Sequence, residues 1–373
     1  MQDRSGPLII GHRGAPGYRP EHTSGAYDLA FSLGADAVEP DIVATRDGVL
    51  VLRHENEIST TTDIADHSEF ADRRTTKTVD GAEQTGWFTE DFTWAELSTL
   101  RAVERLPSIR QPSSTFDGMY PLMRLTDLLE LVNRRSDEEA RLLGVVAELK
   151  HATYFSSIGF PLHELLLGEL RNAGWLHHPG LVVESFEKTV LGELYRGGYR
   201  GKRVYLVENK GAPADRIAEH GETAADYASD VSEVGLYGLA SAGLAERVEG
   251  ISVHLSMLPN PPKRLKPGEE NSDAERSDGE SATENGESGP DDSAGGDLIE
   301  RAHAAGLSVY CWTLRPENRY LPKRMRRGSD PASFGDWQRR FTRVMRTGVD
   351  AVFADHPDLA VVARDRIADS NGR

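Results

Sequence analysis

An α/β fold, a (β/α)8 TIM barrel, follows from two features of the sequence. Short apolar runs rich in β-branched residues recur about eight times, and helix-like segments with three-to-four spacing separate most of them. Parallel strands joined this way build either an open doubly wound sheet or a closed barrel, and the number of strand units selects the barrel. The 373 residues could hold two average domains, but such barrels run to about 250 residues or more as one unit. A single domain over 1–373 with insertions is therefore expected.

The expected strands are Leu8–Ile10, Ala37–Val43, Val49–Leu52, Leu143–Leu149, Leu181–Val183, Val204–Val207, Ile251–Val253, Leu307–Trp312 and Ala351–Phe353. Val49–Leu52 should be a hairpin partner or a continuation of the second strand, because Asp47-Gly48 is a tight-turn pair. Helical spacing marks Ser24–Leu33, Leu125–Asn133, Pro161–Asn172, Leu298–Ala305 and Phe341–Arg346. Two stretches interrupt the alternation. Residues 55–121 hold threonine and charge clusters with Trp87, Phe88, Phe92 and Trp94, and read as a capping insertion over the mouth after the second strand. Residues 259–296 are Pro, Ser, Gly, Asp, Glu and Asn with almost nothing apolar. Such a segment cannot repay its ordering entropy, and a disordered, low-complexity acidic loop is expected there.

A formal net charge of −17 with no basic stripe excludes nucleic acid as a partner. It does not exclude a phosphate substrate, since a divalent cation bound by carboxylates inverts the local sign. One cysteine, Cys311, rules out an intramolecular disulfide framework and a cysteine-based zinc site, and its apolar neighbours make it a core thiol. The N-terminus lacks the charged start, long apolar run and cleavage site of a signal peptide, so the chain as it stands reads as cytoplasmic, with secretion open if an upstream signal is missing. No run is long enough to insert stably in a membrane. A homodimer is allowed.

Chemistry-bearing residues gather where strands end. His12 and Arg13 follow the first strand; a guanidinium fork can hold two phosphoryl oxygens and an imidazole can move a proton near neutral pH. Alternatively, Arg13 pairs with a loop carboxylate that His12 caps. Glu21 stands beside His22 and Thr23, where a plain helix cap by Thr23 or Ser24 is the simpler account. Glu39 and Asp41 lie at i and i+2 of one strand, so both emerge from one face amid apolar neighbours and call for a hard divalent ion, unless they face solvent. His54 follows the next apolar run and gives a second histidine for an acid–base pair; either histidine could instead be an unrelated core residue. Glu148 and Lys150 repeat the strand-end pattern as a third carboxylate and an ammonium, or as a simple salt bridge. Phe186 and Trp312 close two later strands as core aromatics or as a wall for a glycerol backbone, and Asp355 with Pro357 either shapes a turn or binds.

In order, His12-Arg13-Gly14, Pro20-Glu21-His22-Thr23, Glu39-x-Asp41, Thr45-x-Asp47-Gly48, His54, Glu148-x-Lys150, Ser185-Phe186, Trp312-Thr313 and Asp355-x-Pro357 closely resemble the glycerophosphodiester phosphodiesterase family over nearly the whole chain. Tyr18, the Thr60–Asp63 run, the long insertion and Val103-Glu104-Arg105 look most like its secreted or periplasmic type. The resemblance implies metal-dependent hydrolysis of glycerophosphodiesters to glycerol 3-phosphate and an alcohol, hence a place in glycerol and lipid metabolism. It implies one divalent cation, calcium or magnesium, on Glu39, Asp41 and Glu148. His12 and His54 would be the acid–base pair, Arg13 and Lys150 would contact phosphate, Glu21 would support the site, and Phe186 and Trp312 would line the glycerol side. His22 departs from the pattern, standing where many relatives carry asparagine. A lysophospholipase D or sphingomyelinase D-like lipid phosphodiesterase shares this barrel and is the first alternative; a catalytically inactive, phosphodiester-binding barrel is the second, disfavoured by the completeness of the site.

Overall fold

The computed structural model describes residues 6–258 and 296–371. The acidic segment expected to be disordered lies outside the described residues except for Gly296, which opens a helix, Gly296–Ala304. Twelve strands are described: β1 (Leu8–His12), β2 (Ala37–Glu39), β3 (Asp41–Ala44), β4 (Leu50–Leu52), β5 (Thr75–Val79), β6 (Ala82–Gly86), β7 (Gly144–Leu149), β8 (Leu181–Ser185), β9 (Lys202–Val207), β10 (Gly250–His254), β11 (Ser308–Leu314) and β12 (Ala351–Ala354). Parallel pairing runs β2-β1-β12-β11-β10-β9-β8-β7, and β7 returns to β2 and β3, which closes the barrel.

The strand expected over Ala37–Val43 is two pieces. Pro40 has no N–H to give to the ladder, so the strand breaks there, while the Pro40 carbonyl accepts from the Glu148 amide at 2.9 Å. β2 and β3 together fill one barrel position. β4 pairs with β3 antiparallel, the hairpin that Asp47-Gly48 announced, with Gly48 at φ 76°.

Alternation along the strands sorts the core into two layers. Ile10, Ala37, Val146, Val204, Tyr310, Ala351 and Phe353 fill the barrel interior. The opposite faces, with Ile9, Val38, Val145, Val183, Ile251, Val309 and Val352, pack against the helices in a larger cluster. All five expected helical segments are helices, with ends shifted by a few residues; the longest extension turns Leu125–Asn133 into Leu125–Glu138. Cys311 is buried, and burial pushes its thiol up to about 12.

The segment 55–121 is ordered around buried Phe70, Trp87, Phe88, Phe92, Leu97 and Leu100. It also contains a hairpin, β5–β6, beyond the expected strands. Its cue is the same as the one used at Asp47-Gly48: an Asp80-Gly81 pair flanked by β-branched threonines. Both faces of this hairpin are largely exposed, so no apolar alternation advertised it. Among the described residues no helix is long and apolar enough to cross a membrane.

Candidate active site

Because the barrel strands are parallel, their C-terminal ends share one mouth, and the residues singled out in sequence meet there. His12 ends β1 beside Glu39 at the end of β2, and Asp41 at the start of β3 is registered with Glu148 in β7. Glu39, Asp41 and Glu148 each place a carboxylate oxygen within 4.8 Å of the others, and all three are buried. The solvent-facing alternative for Glu39 and Asp41 is thereby overturned: apolar flanks and the neighbouring strand cover them.

Three buried carboxylates at this spacing cannot all be charged unaided. Burial, with Asp41 and Glu148 alongside, pushes Glu39 well above the carboxylate range. Burial raises Glu148 as well. Asp41 goes the other way: burial opposes its ionisation, but Arg13, His54, Lys150 and a hydrogen bond from His22 outweigh it. One Glu39 oxygen, Oε2, accepts from the Arg13 amide at 2.8 Å, while Oε1 is buried with no hydrogen-bond partner. An orphaned carboxylate oxygen in an all-oxygen donor set suits a hard divalent cation. Glu184, unnoticed in sequence, sits next to Glu148 in register, buried, with Oε2 also unpartnered and its pKa raised well above normal by burial and by Glu148.

Cations balance this charge. Arg13 Nε lies 3.1 Å from Asp41 Oδ2, and Nη1 donates to Glu21 Oε2 at 3.2 Å, so Arg13 is ion-paired to two carboxylates of the mouth. Arg105, from the 55–121 segment, reaches the same Glu21 oxygen at 3.2 Å. Lys150 Nζ is 2.9 Å from Glu148 Oε1, near enough for ion pairing but off the hydrogen-bonding direction, and it also faces the Phe186 ring at 5.6 Å. Phe186 and Trp312 meet edge to face, 5.6 Å between centroids, forming an aromatic wall beside the ammonium. Thr23 does cap the following helix, accepting from the Ala26 amide at 3.1 Å. His22, the departure from the family pattern, is fully buried between Asp41 (2.9 Å) and the Tyr27 hydroxyl (2.7 Å). It holds a carboxylate of the acidic cluster.

The histidines are both backed by carboxylates. His12 Nδ1 donates to Asp355 Oδ1 at 2.6 Å, not to a partner of Arg13. Asp355, which in sequence could have been a turn residue, accepts on its other oxygen from Arg110 and, at 2.7 Å, from Arg315. Arg110 Nε also donates to Glu317 at 2.9 Å. An aspartate so paired is held well below its usual pKa despite burial, remains an acceptor, and fixes the His12 proton on Nδ1. His54 Nδ1 lies 2.8 Å from Glu55 Oε1, close to that carboxylate but off the hydrogen-bonding direction. Burial and then Arg13 bring His12 down to about 4; burial, Arg13 and Lys150 bring His54 down to about 3. Both rings are neutral near pH 7 in the cation-free site.

Part of the backbone strain lies here. Among the described residues five non-glycine residues have positive φ, and Arg13 (58°) and His22 (57°) stand at this mouth, a conformation costing about 1 kcal/mol or more per residue unless the surroundings hold it. Arg110, Arg315, Glu317, Glu55 and Glu184 were not found by sequence reasoning. Glu55 adjoins His54 and could have been; Arg110 meets Asp355 across 245 residues and carries no local signal.

A model of the glycerophosphoryl diester phosphodiesterase family matches residues 12–153 and 269–359. A glycerophosphodiester phosphodiesterase of Arabidopsis thaliana is 26% identical over 368 residues, covering 94% of this chain and 84% of that protein. A solved structure from Silicibacter pomeroyi superposes with a TM-score of 0.63 at 20% identity, over 98% of this chain and 95% of its own. An Oleispira antarctica phosphodiesterase in complex with sn-glycerol-3-phosphate superposes with a TM-score of 0.56 at 17% identity, over 96% and 97% of the two chains. At these identities the solved structures speak for the fold.

Proposed function

The chain belongs to the glycerophosphoryl diester phosphodiesterase family, and on that premise we propose that this mouth converts glycerophosphodiesters to glycerol 3-phosphate and an alcohol, with His12 and His54 exchanging the protons. Hydrolysis of glycerophosphodiesters is the activity of the relatives this chain matches, and a bound glycerol 3-phosphate in the Oleispira antarctica enzyme supports that product. The observation that carries the reading is the pairing of two mouth histidines, each backed by a carboxylate, with a three-carboxylate cluster that suits a divalent cation.

Glu39, Asp41 and Glu148 would hold the cation, calcium or magnesium, with Glu21 keeping Arg13 in place behind them. When bound, it supplies charge neutralisation at phosphoryl oxygens. The chain's own residues account for the remainder. The glycerol hydroxyl next to the phosphodiester is already tethered to its target, so its attack on phosphorus is effectively intramolecular. One histidine takes the hydroxyl proton on Nε2 and the other gives a proton to the departing alcohol oxygen. Asp355 and Glu55 stabilise whichever ring is charged, and the substrate's phosphate anion favours that charge in rings that are otherwise neutral. The P–O bond to the alcohol breaks, a cyclic phosphate is left, and water opens it to glycerol 3-phosphate. Lys150 and the guanidinium of Arg13 attract the phosphate, and Phe186 with Trp312 packs against the glycerol carbons. Residues 55–121 act as a cap on one barrel domain, supported by the reach of Arg105 and Arg110 into the mouth.

The test is glycerol 3-phosphate release from glycerophosphocholine and glycerophosphoethanolamine by the purified protein, first with chelator and then with calcium or magnesium added back. Cation-restored release is expected. Turnover of lysophosphatidylcholine without turnover of either glycerophosphodiester would assign the site to lipid substrates instead.

A further inference from the structure

Behind His54 runs a chain of charged groups that ends on the tip of the cap hairpin. Glu55 Oε1 faces His54 Nδ1 at 2.8 Å, its other oxygen Oε2 is 3.0 Å from His151 Nε2, and His151 Nδ1 is 2.5 Å from Asp80 Oδ2. We infer that Asp80 is a positioning residue for His54, acting through His151 and Glu55. The inference rests on the reading of His54 as one of the proton-exchanging groups.

A histidine with a carboxylate on each nitrogen must donate from both, so His151 is an imidazolium. Burial works against that charge, but the hydrogen bonds to Asp80 and Glu55 prevail and hold His151 at about 9. Its ring reaches both partners because residue 151 takes a left-handed turn, φ 51°, between the end of β7 and the helix Ala152–Ser157. The imidazolium in turn occupies Glu55 Oε2 and leaves Oε1 toward His54. Glu55 is 37% exposed, so without that grip it can swing into solvent and release the His54 ring.

Asp80 is placed by the hairpin. Asp80 (φ 47°) and Gly81 (φ 82°) are the two central residues of a turn that needs positive φ at both positions. Among the described residues β5 and β6 pair only with each other, and such a ribbon is marginal by itself in water. Lys77 Nζ fastens it to Glu90 (2.8 Å) and Asp91 (2.7 Å), and Tyr154, on the helix after His151, donates to Glu90 at 2.6 Å. The hairpin is thus tied to the same helix whose first turn follows His151. Asparagine or glycine would serve this turn as well as aspartate; the carboxylate adds only its contact with His151.

Three variants isolate the contact without disturbing the turns. Asp80→Gly keeps both positive-φ positions, Asp80→Asn keeps an oxygen acceptor, and His151→Asn keeps a residue type that tolerates the left-handed conformation but is too short to bridge two carboxylates. With saturating divalent cation and glycerophosphocholine, D80G and H151N are expected to lower kcat about tenfold with KM within about twofold, because a misoriented base loses rate and not binding. D80N should recover more than half of the loss, and the thermal midpoint should not move. A D80G kcat within twofold of the parent overturns the inference, as does a defect confined to KM or a D80N variant as impaired as D80G. If His54→Ala itself keeps its activity, the reading of the histidine pair fails and takes this inference with it; if only D80G keeps it, the pair stands.

Discussion

Replacing His12 with alanine is expected to lower kcat for glycerophosphocholine by about 10²- to 10⁴-fold while moving KM by less than about threefold, the range that general acid–base catalysis contributes. The ring is buried, its Nδ1 is committed to Asp355, and Nε2 is the nitrogen left for the reaction. Folding should survive, because Asp355 keeps Arg110 and Arg315 as partners once the imidazole is gone. A companion variant separates chemistry from packing. Asp355→Asn preserves shape but offers an amide that can donate to Nδ1, which moves the ring proton to Nε2 and presents a donor where an acceptor is needed; a loss approaching that of His12→Ala is expected. His12→Ala retaining more than a tenth of the parent kcat would remove it from the proton-transfer role.

Stripping divalent cations is expected to abolish turnover, and Glu39→Gln to lower it about 10³-fold even with cation in excess, since the charge on phosphoryl oxygens then goes unneutralised. The cation-free site also predicts a pH signature. Burial and the neighbouring Asp41 push Glu39 and Glu148 above their ordinary pKa, so these two groups hold more protons in the folded, cation-free protein than in the unfolded chain. For a group raised on folding, the stabilising contribution is complete below its unfolded pKa of about 4.5 and is lost as pH rises through the folded value. The gap in thermal stability between cation-loaded and chelated protein should therefore widen as pH climbs above the carboxylate range. Cation binding near pH 7 should release protons, detectable by calorimetry in buffers of different ionisation enthalpy. No proton release, together with full activity under chelation, would refute a cation on these three carboxylates.

The strands and their polar ends were legible in the sequence because both signals are local. Apolar runs such as Val145–Ala147 and Val204–Val207 identify buried parallel strands, and parallelism alone sends His12, Glu39, Glu148 and Trp312 to one mouth. The candidate cation ligands needed only the i, i+2 spacing of Glu39 and Asp41 and a matching strand end at Glu148. Pro40 showed how far that reasoning extends: the strand breaks there, yet the two carboxylates still converge.

Tertiary structure alone decided what stands behind those residues. Asp355 is 343 positions from His12, Arg110 is 245 from Asp355, and His151 is 96 from Glu55 and 71 from Asp80. Neither helical nor strand periodicity reaches that far, so a buried carboxylate and its arginine look in sequence like any turn residue and any surface charge. By itself the sequence determined the barrel and which side chains gather at its mouth, because burial of strand faces repeats every two residues. Which groups hold the two histidines was set only when the barrel closed and the cap folded over it, since burying a charge is tolerable solely where a partner from another part of the chain already waits.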